Sequence, residues 1–138
     1  MLRTNVGSDP AFTLRLFRGG RVKYIGHSNI EPLGPRAGKI SPWYFRQLAS
    51  LVQEIGYRKM ETLYASKFTD LPGYIFVVAW DDGTRKVILD YGFAGPRTLW
   101  ALGMTLENLL HEIQWDAPAA HGGSGTQPAP TPGAPPER

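Results

Sequence analysis

Between residues 10 and 115 the apolar positions follow two different periods, and they switch from one to the other in the same order twice. Phe12, Leu14 and Leu16 alternate with Thr13, Arg15 and Phe17, the two-residue spacing of a strand. Gly19-Gly20 supplies a tight turn, and Arg21 to Ile25 returns as the second strand of a hairpin. The spacing then changes to threes and fours. Ser41 is placed to cap a helix whose first position is Pro42, and at 100° per residue Tyr44, Leu48, Leu51, Val52 and Ile55 share one face before Gly56 ends the helix.

The second unit repeats the order. Tyr74 to Trp80 is apolar on both alternating faces, which predicts a central strand. Asp82-Gly83 marks a turn, and Arg85 to Tyr91 returns with Val87 and Leu89 opposite Lys86 and Asp90. After Gly95-Pro96 a helix is predicted from about Arg97 to Gln114, with Leu99, Leu102, Leu106, Leu109, Leu110 and Ile113 on one stripe.

Two ββα units predict an α+β fold: an antiparallel sheet of four or more strands with both helices packed on one face. The strand from Phe12, which carries Arg15 and runs into Arg18, tolerates an edge, and residues 28–40 and 58–73 read as long connections. Residues 1–10 read as an N-terminal extension and 11–115 as the single folded domain. Residues 116–138, DAPAAHGGSGTQPAPTPGAPPER, hold almost no large apolar side chain and read as a disordered tail rich in Pro, Gly and Ala. One PxxP spacing, Pro132 to Pro135, has no flanking basic anchor.

Composition narrows the chemistry. The 138 residues include no cysteine, which excludes disulfides, thiolate metal sites and a cysteine nucleophile. No long apolar run appears, so the chain reads as soluble and cytoplasmic by default, or as exported if a leader has been removed. The net charge of +3 hides an asymmetry: residues 1–67 carry 11 Lys/Arg against 4 Asp/Glu, and residues 68–138 carry 4 against 8. The basic half makes Arg15, Arg18, Arg21 and Lys23 candidates for binding nucleic acid or another polyanion.

The succession FTLRLFRGGRVKYIG, GKISPWYFRQLASLVQEIGY and FTDLPGYIFVVAWDDGTRKVILDYG, over residues 12–113, resembles a bacterial domain family of unknown function. That resemblance implies a small ββαββα-type domain, often found in predicted exported proteins and lipoproteins. It implies no catalytic residues.

No motif for catalysis or for a cofactor appears. His111-Glu112 begins like a zincin signature, but Trp115 stands where the second histidine ligand is required, so no metal is expected. There is no nucleophile elbow, S-x-x-K or Walker A loop. Asp81 and Asp82 are turn formers. Asp70 is the carboxylate an enzymatic reading would use, and its structural alternative is an Asx turn at the start of the next strand.

The aromatic residues point elsewhere. Trp43 falls on the polar side of the first helix, and Trp100, Met104, His111 and Trp115 form a second stripe on the last helix, opposite its leucines. A sheet covers one face of a helix. These five residues are therefore the predicted contact surface of an interaction module, for a protein partner or a second copy of the chain.

Overall fold

The computed structural model describes residues 1–4 and 7–118. It is an α+β fold with eight strands and two helices. The strands are β1 (Leu2–Thr4), β2 (Ala11–Leu16), β3 (Arg21–Ser28), β4 (Gly34–Lys39), β5 (Leu63–Ala65), β6 (Gly73–Ala79), β7 (Arg85–Tyr91) and β8 (Gln114–Trp115). The helices are α1 (Pro42–Glu54) and α2 (Arg97–Leu109). The sheet order is β5-β7-β6-β1-β2-β3-β4-β8, antiparallel except for the parallel pair β5 and β7.

Both predicted hairpins form, with the same closure. Phe17 N–H reaches Arg21 O and Gly20 N–H reaches Phe17 O in the first; Trp80 N–H reaches Thr84 O and Gly83 N–H reaches Trp80 O in the second. Arg18 and Asp81, one on each tip, form an exposed ion pair. Helix α1 begins as its sequence requires, with the Ser41 hydroxyl accepting from Trp43 N–H and Pro42 in the first turn.

The sheet is larger than the two hairpins predict, and it is partly parallel. Leu2–Thr4, expected outside the domain as part of an extension, forms the strand that joins the two hairpins, pairing with β2 on one side and β6 on the other. With β1 beside it, β2 is interior and not an edge. Arg15 is accommodated because one sheet face is open to water, so an interior strand can still present charge. The connection 28–40 contains β4, six residues of low strand propensity (GPRAGK) that complete the hydrogen bonds of Arg21–Gly26. The connection 58–73 contains β5. Of the segment expected to be a disordered tail, residues 119–138 lie outside the described residues.

Helix α2 is shorter than its apolar stripe suggests. It ends at Leu109, passes through a 3-10 turn at Leu110–Glu112, and gives way to β8, which pairs with β4. Trp115 is therefore on a strand.

The helices cover one face. Phe12, Leu14, Val22, Tyr24, Ile40, Leu109 and Ile113 form one buried cluster, and Tyr57, Tyr74, Phe76, Ile88, Leu99 and Leu102 a second. Leu48 of α1 and Leu106 of α2 pack against both and join them into one core. Gly103 explains the tight seat of α2: a Cβ there would lie 2.4 Å from the Tyr74 ring, so only glycine lets helix backbone and ring meet.

Candidate functional site

Strand register fixes what the open face displays. Leu63, Leu89, Ile75, Leu2, Thr13, Ile25 and Pro35 stand side by side across seven strands, an almost wholly apolar row. Val77 and Val87 face each other in the adjoining positions. Leu63, Leu89, Val77, Val87 and Ile25 are each 38–57 % exposed, although strand residues of this kind are ordinarily covered.

The same face is basic. Arg15 stands opposite Lys23, and Arg21 opposite Lys39, like charges at facing cross-strand positions; Arg85 stands opposite Ala79 on the other half. None of the strand positions on this face is Asp or Glu. Arg15 and Lys23 both lie over the ring of Phe17, at 5.4 and 5.8 Å. Asp116, on the segment after β8, pairs with Arg21 at 3.1 Å. Between that segment and the sheet runs an open groove of about 730 Å³, lined by Arg15, Lys23, Ile25 and Arg36 among others.

A second groove, of about 530 Å³, opens on the helix side, between the end of α2 and the β2–β3 half of the sheet. Phe12, Tyr24, Ile113 and Trp115 give it an aromatic and aliphatic lining, and Glu31, Glu107, Asn108 and His111 supply its polar groups. Tyr24 lies 5.2 Å from the Trp115 ring and 6.0 Å from Phe12. Its hydroxyl is buried without a hydrogen-bond partner among the described residues. Burial, then the Glu31 carboxylate, push the Tyr24 phenol above its ordinary range.

Two polar clusters hold the helix side together. Arg3 of β1 reaches through the core to Glu107 of α2, and also donates to the Tyr74 hydroxyl at 3.2 Å; that hydroxyl donates to Glu107 at 2.6 Å. The guanidinium also lies against the Tyr74 and Phe93 rings. Asp90, fully buried on β7, accepts from Gly95 N–H at 2.9 Å and from Ala94 N–H. It thereby fixes the turn before α2, where Phe93 takes the left-handed conformation (φ +54). Burial raises the Asp90 carboxyl pKa, against these two bonds.

The structure separates the five residues of the predicted contact surface. Trp43 and Trp100 are about half exposed, and Trp43 meets Tyr44 edge to face at 5.2 Å. Met104 is half-buried beside the Tyr74 hydroxyl, 3.7 Å away. His111 and Trp115 line the second groove together, and Trp115 also packs on the core. The single stripe does not persist, because the helix stops before Leu110. Of the basic set, Arg15, Arg21 and Lys23 share the open face, whereas Arg18 sits on a hairpin tip paired with Asp81.

Asp70 is exposed, in the left-handed conformation (φ +58), and lines neither groove. Among the described residues its carboxylate makes no hydrogen bond, so the expected Asx turn is absent. The open-face row went unread because it spans seven strands, three of them (β1, β4 and β5) absent from the two-hairpin scheme. The Tyr24 groove needed a signal that was present: a tyrosine on the inward side of its strand must place its hydroxyl somewhere.

Residues 4–110, well over half of the chain, match the model of the family described as Domain of unknown function (DUF6438). The chain belongs to that family. Among curated proteins and solved structures no significant similarity is found. The DUF6438 match takes in both hairpins and α2, and therefore the open face from β2 to β7. It ends before His111, Ile113 and Trp115 of the second groove. Among the described residues of this DUF6438 chain, no group of three His, Asp or Glu could hold a metal, and no helix is long and apolar enough to cross a membrane.

Proposed function

We propose that this domain is a non-enzymatic interaction module that docks a partner protein on the open face of its sheet. The observation that carries this reading is the apolar row from Leu63 to Pro35, left uncovered because both helices lie on the other face. The partner's chemistry follows from charge. A surface with five basic strand residues and no acidic one favours an apolar strip flanked by carboxylates. A second copy packed fully face to face would oppose Arg15 and Lys23 with their own kind. Trp43 and Trp100, exposed on the helix side, stand outside this docking face.

The test places a photo-crosslinker at position 77 or 87, and at Ser50 on α1 as a control, in cells expressing the protein. The expected product is an adduct with one acidic protein, formed from positions 77 and 87 only and lost in an Arg15→Glu/Lys23→Glu double variant. Adducts equally abundant from position 50, or insensitive to the charge reversal, would refute the reading.

A second reading rests on Phe17, an aromatic ring between two cations on the basic half of this face, an arrangement suited to a base stacked beside phosphates. Binding of a single-stranded oligonucleotide that weakens steeply with salt would support it; absence of binding at low ionic strength would remove it. Among the described residues, an enzymatic use of Asp70 has no groove and no hydrogen-bond partner behind it.

A further inference from the structure

The groove beside the end of α2 has features that neither docking reading uses. Its floor is aromatic, with Tyr24 in ring contact with Phe12 on one side and Trp115 on the other. Its polar groups include two carboxylates, Glu31 and Glu107. One oxygen of Glu107 takes up Arg3 and Tyr74, and the other has no partner among the described residues. Arg36, opposite Tyr24 in register, lines the other groove instead.

The unpartnered Tyr24 hydroxyl is the decisive feature. Tyr24 is 2 % exposed, and a buried hydroxyl without a partner weakens the fold, a cost phenylalanine would avoid. Glycine at position 26 lets the hydroxyl and the backbone at Pro32 pack against β3: a Cβ there would come within 2.8 Å of the hydroxyl and 2.2 Å of Pro32 O. A stability-driven core would place phenylalanine here, whereas a binding site would keep a polar atom for its ligand.

We propose that this groove binds a small organic cation, its ammonium group set against the aromatic floor and between the carboxylates of Glu31 and Glu107. Aromatic faces attract such cations through their ring quadrupole, and the carboxylates supply the counter-charge and exclude anions. The volume of about 530 Å³ lies in the range of small-molecule sites. The shared chemistry, an alkylammonium, occurs both in free amines and in the lysine side chain of a peptide.

The experiment follows the Trp115 indole N–H by NMR in nitrogen-labelled full chain, titrated separately with choline and with Nα-acetyl-lysine methylamide. The neutral analogue of choline, with carbon in place of the quaternary nitrogen, is the control. A saturable shift with either cation and none with the control supports the proposal, and the tighter arm tells a free amine from a lysine side chain. Glu31→Gln, at an exposed position, is expected to weaken the binding about tenfold. Tyr24→Phe is expected to weaken it about fivefold while leaving the melting temperature equal or higher. No saturable shift with either cation, an equal response to the neutral analogue, or full binding by Glu31→Gln would overturn the proposal.

Discussion

The two faces of the sheet are made by alternate residues of the same strands, yet they handle charge in opposite ways. On the helix side the ionised groups drawn into the core have dedicated partners. Arg3 has Glu107 and Tyr74, Asp90 has the amides of Ala94 and Gly95, and the Lys86 ammonium takes the carbonyls of Arg58 and Met60. On the open face Arg15, Lys23 and Lys39 have no acidic partner among the described residues, because water solvates them. Burial, and not strand membership, decides whether a charge must be answered within the fold.

The strongest test removes one answer. Glu107→Ala leaves the Arg3 guanidinium against Tyr74 and Phe93 with its counter-ion gone. Removing one partner of a buried pair costs about 3–5 kcal/mol, and since both side chains retain some contact with water the expected loss is about 3 kcal/mol. Urea denaturation gives the value. A loss below about 1 kcal/mol would mean that water reaches Arg3, and that the two faces differ less than their geometry indicates.

How much of this was legible in the sequence follows from the same contrast. The hairpins, the capped start of α1 and the leucine stripe of α2 were readable because each is a local pattern with one covered side. Strands β1, β4 and β5 were not. LRT and LYA are too short to display a period, and GPRAGK has the composition of a turn; all three are strands because a neighbour offers unpaired backbone groups. The last helix was drawn too long for a related reason. A helical stripe was extended through Leu110 to Trp115, where the chain leaves the helix to close the sheet edge. In β7, alternation alone did not decide which side faced inward, and the structure turns Val87 and Leu89 out and Ile88 and Asp90 in.

Asp90 sharpens the comparison with a smaller effect, and through pH. Its folded-state pKa is raised above the ordinary 3.8 by burial, so the folded protein holds this proton more tightly than the unfolded chain does. The contribution is fully present below 3.8 and is lost as pH rises through the folded value. At neutral pH the buried carboxylate is therefore a net cost. Asp90→Asn keeps an oxygen for Ala94 and Gly95 and carries no charge. It is expected to gain about 1 kcal/mol at pH 7, a rise of several degrees in melting temperature, with the gain shrinking toward pH 3. A gain that grew on acidification would reverse the assignment of burial as the dominant cause.

The smallest expected effect is on the open face, and it depends on three consecutive residues. Threonine keeps the β-branched shape that strands favour, so Val87→Thr and Leu89→Thr should alter stability by no more than about 0.5 kcal/mol. Ile88→Thr, between them, puts an unpartnered hydroxyl and a smaller volume into a fully buried site, and should cost about 2–4 kcal/mol. Thermal unfolding of the three variants at two protein concentrations measures the contrast directly. If Val87→Thr were as costly as Ile88→Thr, and its cost grew with protein concentration, the row from Leu63 to Pro35 would already be covered in solution by a second copy. The open face would then be a subunit interface, the acidic-partner reading would fall, and the uncompensated Arg15 and Lys23 would flank that interface.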